Sequence, residues 1–550
     1  MWKKKALLVG LAVVGLVTIG ANFFNDDRVE PPDVAMEPAW QSPDLQGVVA
    51  RLDQAFQSEW ESQKLHPADR ADELAIARRM ALGLMGTIPS LEEIRVLESL
   101  PREQRLPWWL DHVFSDRRYA DFVAERLARS YVGTKGGQFI LYRRRRFVAW
   151  LSDQLAANRP YDAVVRDLVA GNGIWTDKPA VNFITVTLDS NEEQQPDPVL
   201  LAGATARAFL AMRIDCLQCH DDRLDTVSLG PPDDPREGLQ QDFHRLAAFF
   251  SETELSLLGV DDEVGRSYRY KYLHADHEEV VPPVVPFGQE WVPKGGTRRE
   301  QLAGWLTDPR NKPFARAIVN RMWAILFGRP LVEPIDDIPL HGPHPKPLDI
   351  LADDFIEHGY DLRRLITVMV ASRPFQLSSA SDDVEITPAH QDAWAVFPLV
   401  RLRPEQIAGS IVQAGSLTTI NARSHILQQL AAFFQSSEFI QRYGDKGEDE
   451  FVDRSGTVTQ RLLLMNGQLV QEWTKDDPLQ NASSRIRILC PDPDRAVEVV
   501  YLCVLSRRPS QRESEYFAAR LKQAKQGERQ AVLEDLFWTL INSTEFSWNH

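Results

Sequence analysis

Cysteine is scarce: four in 550 residues, too few for a scaffold stapled by disulfides. Positive charge is in deficit as well. Lys and Arg number 62 against 78 Asp and Glu, a formal net charge of −16. A nucleic-acid binder needs a basic face to neutralise phosphates, so that partner class is excluded for the chain as a whole. The signatures of common enzymes are missing too: there is no P-loop, no glycine-rich dinucleotide fingerprint, no GxSxG and no HExxH. No fixed-period repeat is visible. What remains is ordinary globular composition, 43% hydrophobic and 25% charged residues, with enough apolar side chain for a substantial core. The length suits two large domains or three to four smaller ones.

One long hydrophobic run exists. Lys3, Lys4 and Lys5 precede Ala6–Ala21, Phe23 and Phe24 extend the run, and Asn25, Asp26 and Asp27 close it. Cations held on the cytoplasmic side of an apolar stretch are what a signal peptide or signal anchor needs. We therefore expect residues 1–24 to anchor the chain in the cytoplasmic membrane and the rest to lie outside the cytoplasm, on the periplasmic side. Residues 25–45 are acidic and proline-rich and read as a linker.

From about Val48 the pattern turns helical. Val49, Leu52, Phe56 and Trp60 recur at steps of three and four. Similar spacing runs through 73–84, 91–100, 106–114, 119–131, 147–157, 163–170 and 198–213. It returns in 348–357, 362–371, 404–414, 422–434, 458–466, 494–505, 511–523 and 531–542. Phe314, Ile318, Met322 and Ile325 share one face of a further helix, which Gly328 should stop. Asn182–Leu188 alternates and reads as a strand. Between 251 and 296, stretches such as SYRYKYLHA and EVVPPVVPF read as short strands broken by proline. The expected fold is mainly α. Two large helical domains, 46–250 and 297–550, flank a small β-rich connection at 251–296.

Cys216-Leu217-Gln218-Cys219-His220 is a CxxCH motif, the attachment signature of c-type haem. Two thiols three positions apart on a helical turn can each form a thioether to a haem vinyl group, and the adjacent imidazole of His220 can ligate the iron. A short-loop disulfide between Cys216 and Cys219 is one alternative. Part of a zinc site is another, although zinc wants four ligands and no second CxxC exists. A sixth iron ligand is not obvious; Met212, His244, His274, His277, His341 and His344 are the candidates.

Other constellations are weaker. Arg143–Arg146 reads as a solvated helix face or a partner for carboxylates rather than an anion site. Asp336 and Asp337 resemble a carboxylate pair for acid–base work, yet a turn after Pro334 with a helix cap explains them as well. His341 and His344 sit in a Pro/Gly loop that rarely binds metal.

Several motifs, in order, extend the reading. Gly86-Thr-Ile-Pro89-Ser, Asp116-Arg-Arg-Tyr119 and Asn158-Arg-Pro160-Tyr161-Asp162 precede Ala204-Thr-Ala-Arg207-Ala-Phe-Leu210, which runs into Cys216–His220. Arg299-Glu-Gln-Leu302, Asn320-Arg321-Met-Trp323, Phe327-Gly328, Leu331-Val-Glu-Pro334 and Asp336-Asp337 follow, with Ser372-Arg-Pro-Phe375 and Asn542-Ser-Thr-Glu545-Phe546 towards the end. With these motifs the chain resembles the planctomycete-type cytochrome-associated tandem, a pair of domains of unknown function. The resemblance implies a cytochrome-c-like haem assignment for the first domain. It departs just after His220, where relatives carry a second histidine and this chain has Asp221-Asp222.

The functional expectation is a haem-bearing redox or electron-transfer component with Cys216 and Cys219 as thioether anchors, His220 as axial ligand and haem c as cofactor. Exported redox or polymer-processing proteins are its expected partners. The alternatives are an extracytoplasmic scaffold with a structural CxxCH, or an enzyme acting on exported polymers through Asp336, Asp337 and Arg321.

Overall fold

The computed structural model describes residues 39–134, 142–188, 195–223, 226–231, 233–381, 383, 385–421, 439–440, 442–443, 457–477, 481–525 and 527–550. These residues form a mainly helical molecule with four small two-stranded antiparallel sheets. Most of the periodic segments become helices close to their expected bounds; 422–434 lies outside the described residues.

Six helices position the chemistry. Helix α1 (Glu73–Met85) starts on an Asp72 cap and stops at Gly86, whose φ of 67° suits glycine. Helix α2 spans Arg117–Val132, α3 Tyr161–Ala170, α4 Pro198–Leu210, α5 Gln240–Ala247 and α6 Lys312–Phe327. Gly328, with a φ of 78°, ends α6 as the sequence suggested. Helix α4 is the hub, packing on α2, α5 and α6. Its small residues Ala202, Gly203 and Ala206 are buried.

Between α4 and α5, strands β1 (Ser228–Leu229) and β2 (Arg236–Glu237) pair. A hairpin of β3 (Thr253–Ser256) and β4 (Gly259–Asp262) and a pair β5 (Arg269–Tyr270) and β6 (Glu279–Val280) follow. The last two sheets are the expected β-rich connection. Strand β7 (Val400–Arg401) pairs with β8 (Trp548–Asn549), bringing the chain's end back to its middle.

The apolar cores divide the molecule elsewhere than at the connection. One core runs from Leu45 to Phe397, is joined by Leu502, and takes side chains from both expected domains. A second extends from Leu402 to Phe546, joined by Leu82 and Ile88 from the α1 region. Two buried arginines tie the bodies together. Arg78 donates to the carbonyls of Val504 and Phe546, and Arg79 to those of Phe375, Leu377 and His550.

Four expectations need correction. Asn182–Leu188 is not a strand: Asn182–Thr185 is a helical turn, buried on every side, where a period-two pattern carries no information. The linker ends early, because Ser42 caps a helix at Pro43–Ser62 and Leu45 is already in the core. The helix leading into Cys216 stops at Leu210, since Ala211 turns left-handed with φ 49°. Finally, among the described residues no helix is long and apolar enough to cross a membrane. The longest, Pro43–Ser62, carries Asp44, Arg51, Asp53, Glu59 and Glu61. The expected membrane-spanning anchor, and the extracytoplasmic, periplasmic placement built on it, are therefore withdrawn; the Lys-led run of residues 1–24 lies outside the described residues.

Candidate functional site

The CxxCH segment is built from its inside face outwards. After α4 the chain descends through Ile214, which is buried, into a 3-10 turn over Asp215–Gln218. Leu217 is fully buried, while Cys216, Cys219 and His220 are exposed. The turn is tighter than the α-helical one expected, with Cys219 N–H bonding back to the Cys216 carbonyl at 3.3 Å. Both thiols are free, so the short-loop disulfide does not form. Burial, with Asp222 nearby, pushes the Cys216 thiol pKa up, which keeps it protonated at neutral pH.

One carbonyl holds the turn in place. Gln218 O accepts from Gln240 Nε2 at 3.2 Å, His244 Nε2 at 3.0 Å and the Tyr270 hydroxyl at 3.3 Å. A carbonyl only accepts, so His244 carries its proton on Nε2. Its Nδ1 must then accept from the Tyr268 hydroxyl at 2.9 Å. His244 is fully buried and stacks on Tyr270 with ring centroids 3.4 Å apart. Burial holds its pKa below the ordinary value, against the pull of the Gln218 carbonyl.

Two aspartates complete the brace. Asp221 Oδ1 accepts the Gln240 N–H at 2.8 Å, at the start of α5. Buried Asp222 accepts from Val227 N–H at 2.6 Å and Thr226 Oγ1 at 3.1 Å. Gly238 packs close to the turn: a Cβ there would fall 2.7 Å from Leu217 Cδ1 and displace that buried side chain's tip. Asp222, which stands where the resemblance implied a second histidine, thus serves the backbone. His244 as a clamp was not legible in the sequence, because its partners come from later in the chain, Tyr270 on β5 and Tyr268 just before it.

The candidate sixth ligands are largely committed elsewhere. Met212 is in the core, His341 bonds the Gly230 carbonyl and His344 that of Pro339, while His274 and His277 are exposed.

The second expected constellation is reshaped. Asp336 pairs with Arg213 at 2.7 Å, so it faces a cation rather than a second acid. Burial pushes the Asp337 carboxyl up, against the pull of Arg213. Arg321 sits buried on α6. Burial pulls its pKa down, against Tyr131, Tyr161 and Asp336, which favour the charged form. The arginine run behaves as the carboxylate partner expected: Arg144 grips Glu125 with two nitrogens at 2.8 and 3.0 Å.

Sequence reasoning missed a third cluster. Glu93, His112 and Asp116 bring donor atoms within 4.8 Å of one another, the one such His/Cys/Asp/Glu group among the described residues. It already holds a cation. Arg118 reaches Glu93 at 2.5 Å and Asp116 at 3.0 Å. Burial raises the Glu93 pKa, but Arg118, His112 and the Ser90 N–H outweigh it and hold the carboxyl at about 2. The pairing of Ser90 with Glu93 was visible as a capping box, S-x-x-E; its convergence with 112–118 was not.

Two family models match this chain. PSCyt2, a protein of unknown function (DUF1549), covers residues 51–255, and PSD1, a protein of unknown function (DUF1553), covers residues 298–426. The chain carries these two domains in tandem. No curated protein and no solved structure matches it. The CxxCH turn and His244 lie within the PSCyt2 domain, whereas Tyr268 and Tyr270 fall between the two matches. The Arg213–Asp336 pair joins the PSCyt2 domain to the PSD1 domain.

Proposed function

We propose that the Cys216–His220 turn of the PSCyt2 domain is an attachment site for c-type haem and that the chain is a redox or electron-transfer component. The observation that carries this reading is the combination of two free, exposed thiols three positions apart with an exposed imidazole, on a turn braced from its buried side. The donor set suits the group: Cys216 and Cys219 would hold it through thioethers, each S–H adding across a vinyl double bond with no oxidant required, and His220 would offer a nitrogen to the iron. Bound there, the iron supplies one-electron chemistry. The protein's own contribution is orientation. Gln218 O, clamped by three donors, and buried Leu217 fix the backbone, so the three functional side chains emerge from a set position. The sulfurs are exposed and form no disulfide, which disfavours a scaffold in which CxxCH is merely structural. A zinc site is disfavoured because the three donors do not form a compact group.

The test is expression with a c-type cytochrome maturation system. Pigment should remain with the polypeptide through denaturing electrophoresis and give a c-type pyridine haemochrome, because thioethers survive unfolding. Cys216→Ser and Cys219→Ser should each weaken or abolish that retention, and His220→Ala should spoil iron ligation. A colourless wild-type protein with both thiols open to alkylation would overturn the proposal.

A further inference from the structure

The two ring nitrogens of His220 have different fates. Nδ1 lies 2.8 Å from the Asp221 carbonyl. A carbonyl only accepts, so Nδ1 carries the proton and Nε2 keeps its lone pair, with no partner among the described residues. A backbone carbonyl on one ring nitrogen fixes the tautomer and the ring orientation for ligation through the other. This meets one axial position of the proposed attachment site and leaves the opposite one for a second side chain.

Most of the candidates for it are spent. Met212 is buried in the core. His244 commits both nitrogens, to the Gln218 carbonyl and the Tyr268 hydroxyl. His341 and His344 each give Nε2 to a carbonyl, of Gly230 and Pro339. His274 and His277 are exposed and make no hydrogen bond or ion pair among the described residues. Both sit in the loop between β5 and β6, and that loop is tied to the turn's own clamp. Leu273 N–H donates to Gln240 Oε1 at 3.0 Å. Nε2 of the same side chain donates to the Gln218 carbonyl at 3.2 Å and to the Tyr270 hydroxyl at 3.3 Å. The Tyr272 ring packs edge-on against His244 and Tyr270, with centroids 5.9 and 5.4 Å away. His274 follows Leu273 directly, inside a turn closed by Ala275 N–H on the Tyr272 carbonyl at 3.0 Å. His277 is further towards β6, beside the Glu278–Arg269 ion pair. Leu239 and Leu273, which flank Gln240, are exposed, apolar surface of the kind that a macrocycle's hydrocarbon face would cover.

We infer that His274, carried by the β5–β6 loop, is the second axial ligand of a haem held at Cys216 and Cys219, so that the centre is closed by two histidines and serves electron transfer rather than the binding of an external ligand. The inference rests on the attachment reading above and adds to it a residue beyond the PSCyt2 match, which ends at residue 255. The clamp then has two tasks. Gln240 fixes the turn that presents His220 and, through the other end of the same amide, the loop that presents His274.

The experiment takes the full chain from the maturation system and records ferric and ferrous absorption spectra, with carbon monoxide as the probe of an open position. The wild-type protein should be low-spin, should lack the near-infrared charge-transfer band of a methionine–iron bond, and should not bind carbon monoxide. His274→Ala should keep its covalent pigment through denaturing electrophoresis, because the thioethers do not depend on it, yet turn high-spin and bind carbon monoxide. Added imidazole should restore the low-spin spectrum, which separates a missing ligand from a damaged fold. His277→Ala should leave the spectra unchanged. A pigmented wild-type protein that is high-spin and binds carbon monoxide would overturn the inference while leaving the attachment reading intact. So would a His274→Ala variant that stays low-spin, or a change of spin state in His277→Ala instead. A colourless wild-type protein would overturn the attachment reading and this inference with it.

Discussion

The Glu93 cluster and the CxxCH turn both assemble acids or thiols around a histidine, and they use them in opposite ways. At Glu93 the potential metal donors lie within 4.8 Å of one another, but Arg118 already occupies the charge they offer. At the CxxCH turn the donors do not gather, yet both thiols are free and exposed. Proximity of ligand-type side chains is therefore a poor guide to chemistry. What separates the two places is whether the protein itself satisfies the group. Glu93 is spent on holding α2 to the helix at Leu91–Ser99, while the two cysteines are exposed and form no disulfide.

Removing Arg118 is the strongest way to break this comparison. Arg118→Met leaves two buried carboxylates facing each other, and a broken buried pair costs about 3–5 kcal/mol. A denaturant midpoint shift of that size is expected. If the variant instead gained a tight divalent-cation site with little loss of stability, Glu93, His112 and Asp116 would be a metal centre that Arg118 merely masks.

Acid titration sharpens the same point. The Glu93 carboxyl is held near 2, below its ordinary value of 4.5, so its contribution is fully present above pH 4.5 and is lost as pH falls towards 2. The loss is on the order of 3 kcal/mol by linkage. Glu93→Gln should flatten the stability-against-pH curve in that window, read by chemical denaturation at a series of pH values.

These effects show why legibility differed across the molecule. Helices such as Pro43–Ser62 and Lys312–Phe327 were readable because their apolar residues recur with the helical period and Gly328 marks a stop. The buried stretch at Asn182 was not, since a segment buried all round has no periodic signature. The Cys216–His220 motif was readable because its residues are local. Its clamp was not, because His244 on α5, Tyr270 on β5 and Tyr268 just before β5 converge on the turn from later in the chain. The core boundary near residue 400 was equally hidden, as Leu82 and Leu402 meet only in three dimensions.

His244→Phe probes the brace without removing its bulk. The ring can still stack on Tyr270, but the bond to Gln218 O is lost and the Tyr268 hydroxyl loses its acceptor. Leaving a buried polar group unmet costs about 1–3 kcal/mol. The wild-type clamp has a pH signature of its own. Burial holds the His244 pKa below 6.5, so its contribution is present above that value and falls away as the pH drops beneath it. The variant should lose this dependence, and its Cys219 should react faster with a thiol reagent. An unchanged alkylation rate would show that the turn is held by Leu217 alone.

The smallest effect on stability is expected at the cysteines, and it is the most informative. Cys216 and Cys219 are exposed and their sulfurs form no disulfide, so Cys216→Ser and Cys219→Ser should each change folding free energy by no more than about 0.5 kcal/mol in the cofactor-free protein. Under haem-maturation conditions the same substitutions should cost covalent retention of pigment. The two measurements together distinguish the sulfurs' roles. A large loss of stability without cofactor would mean that the sulfurs hold the turn, placing this motif beside Glu93 as internal structure. A negligible loss, combined with loss of covalent pigment, would mean that the fold braces this turn for a group that it does not itself provide.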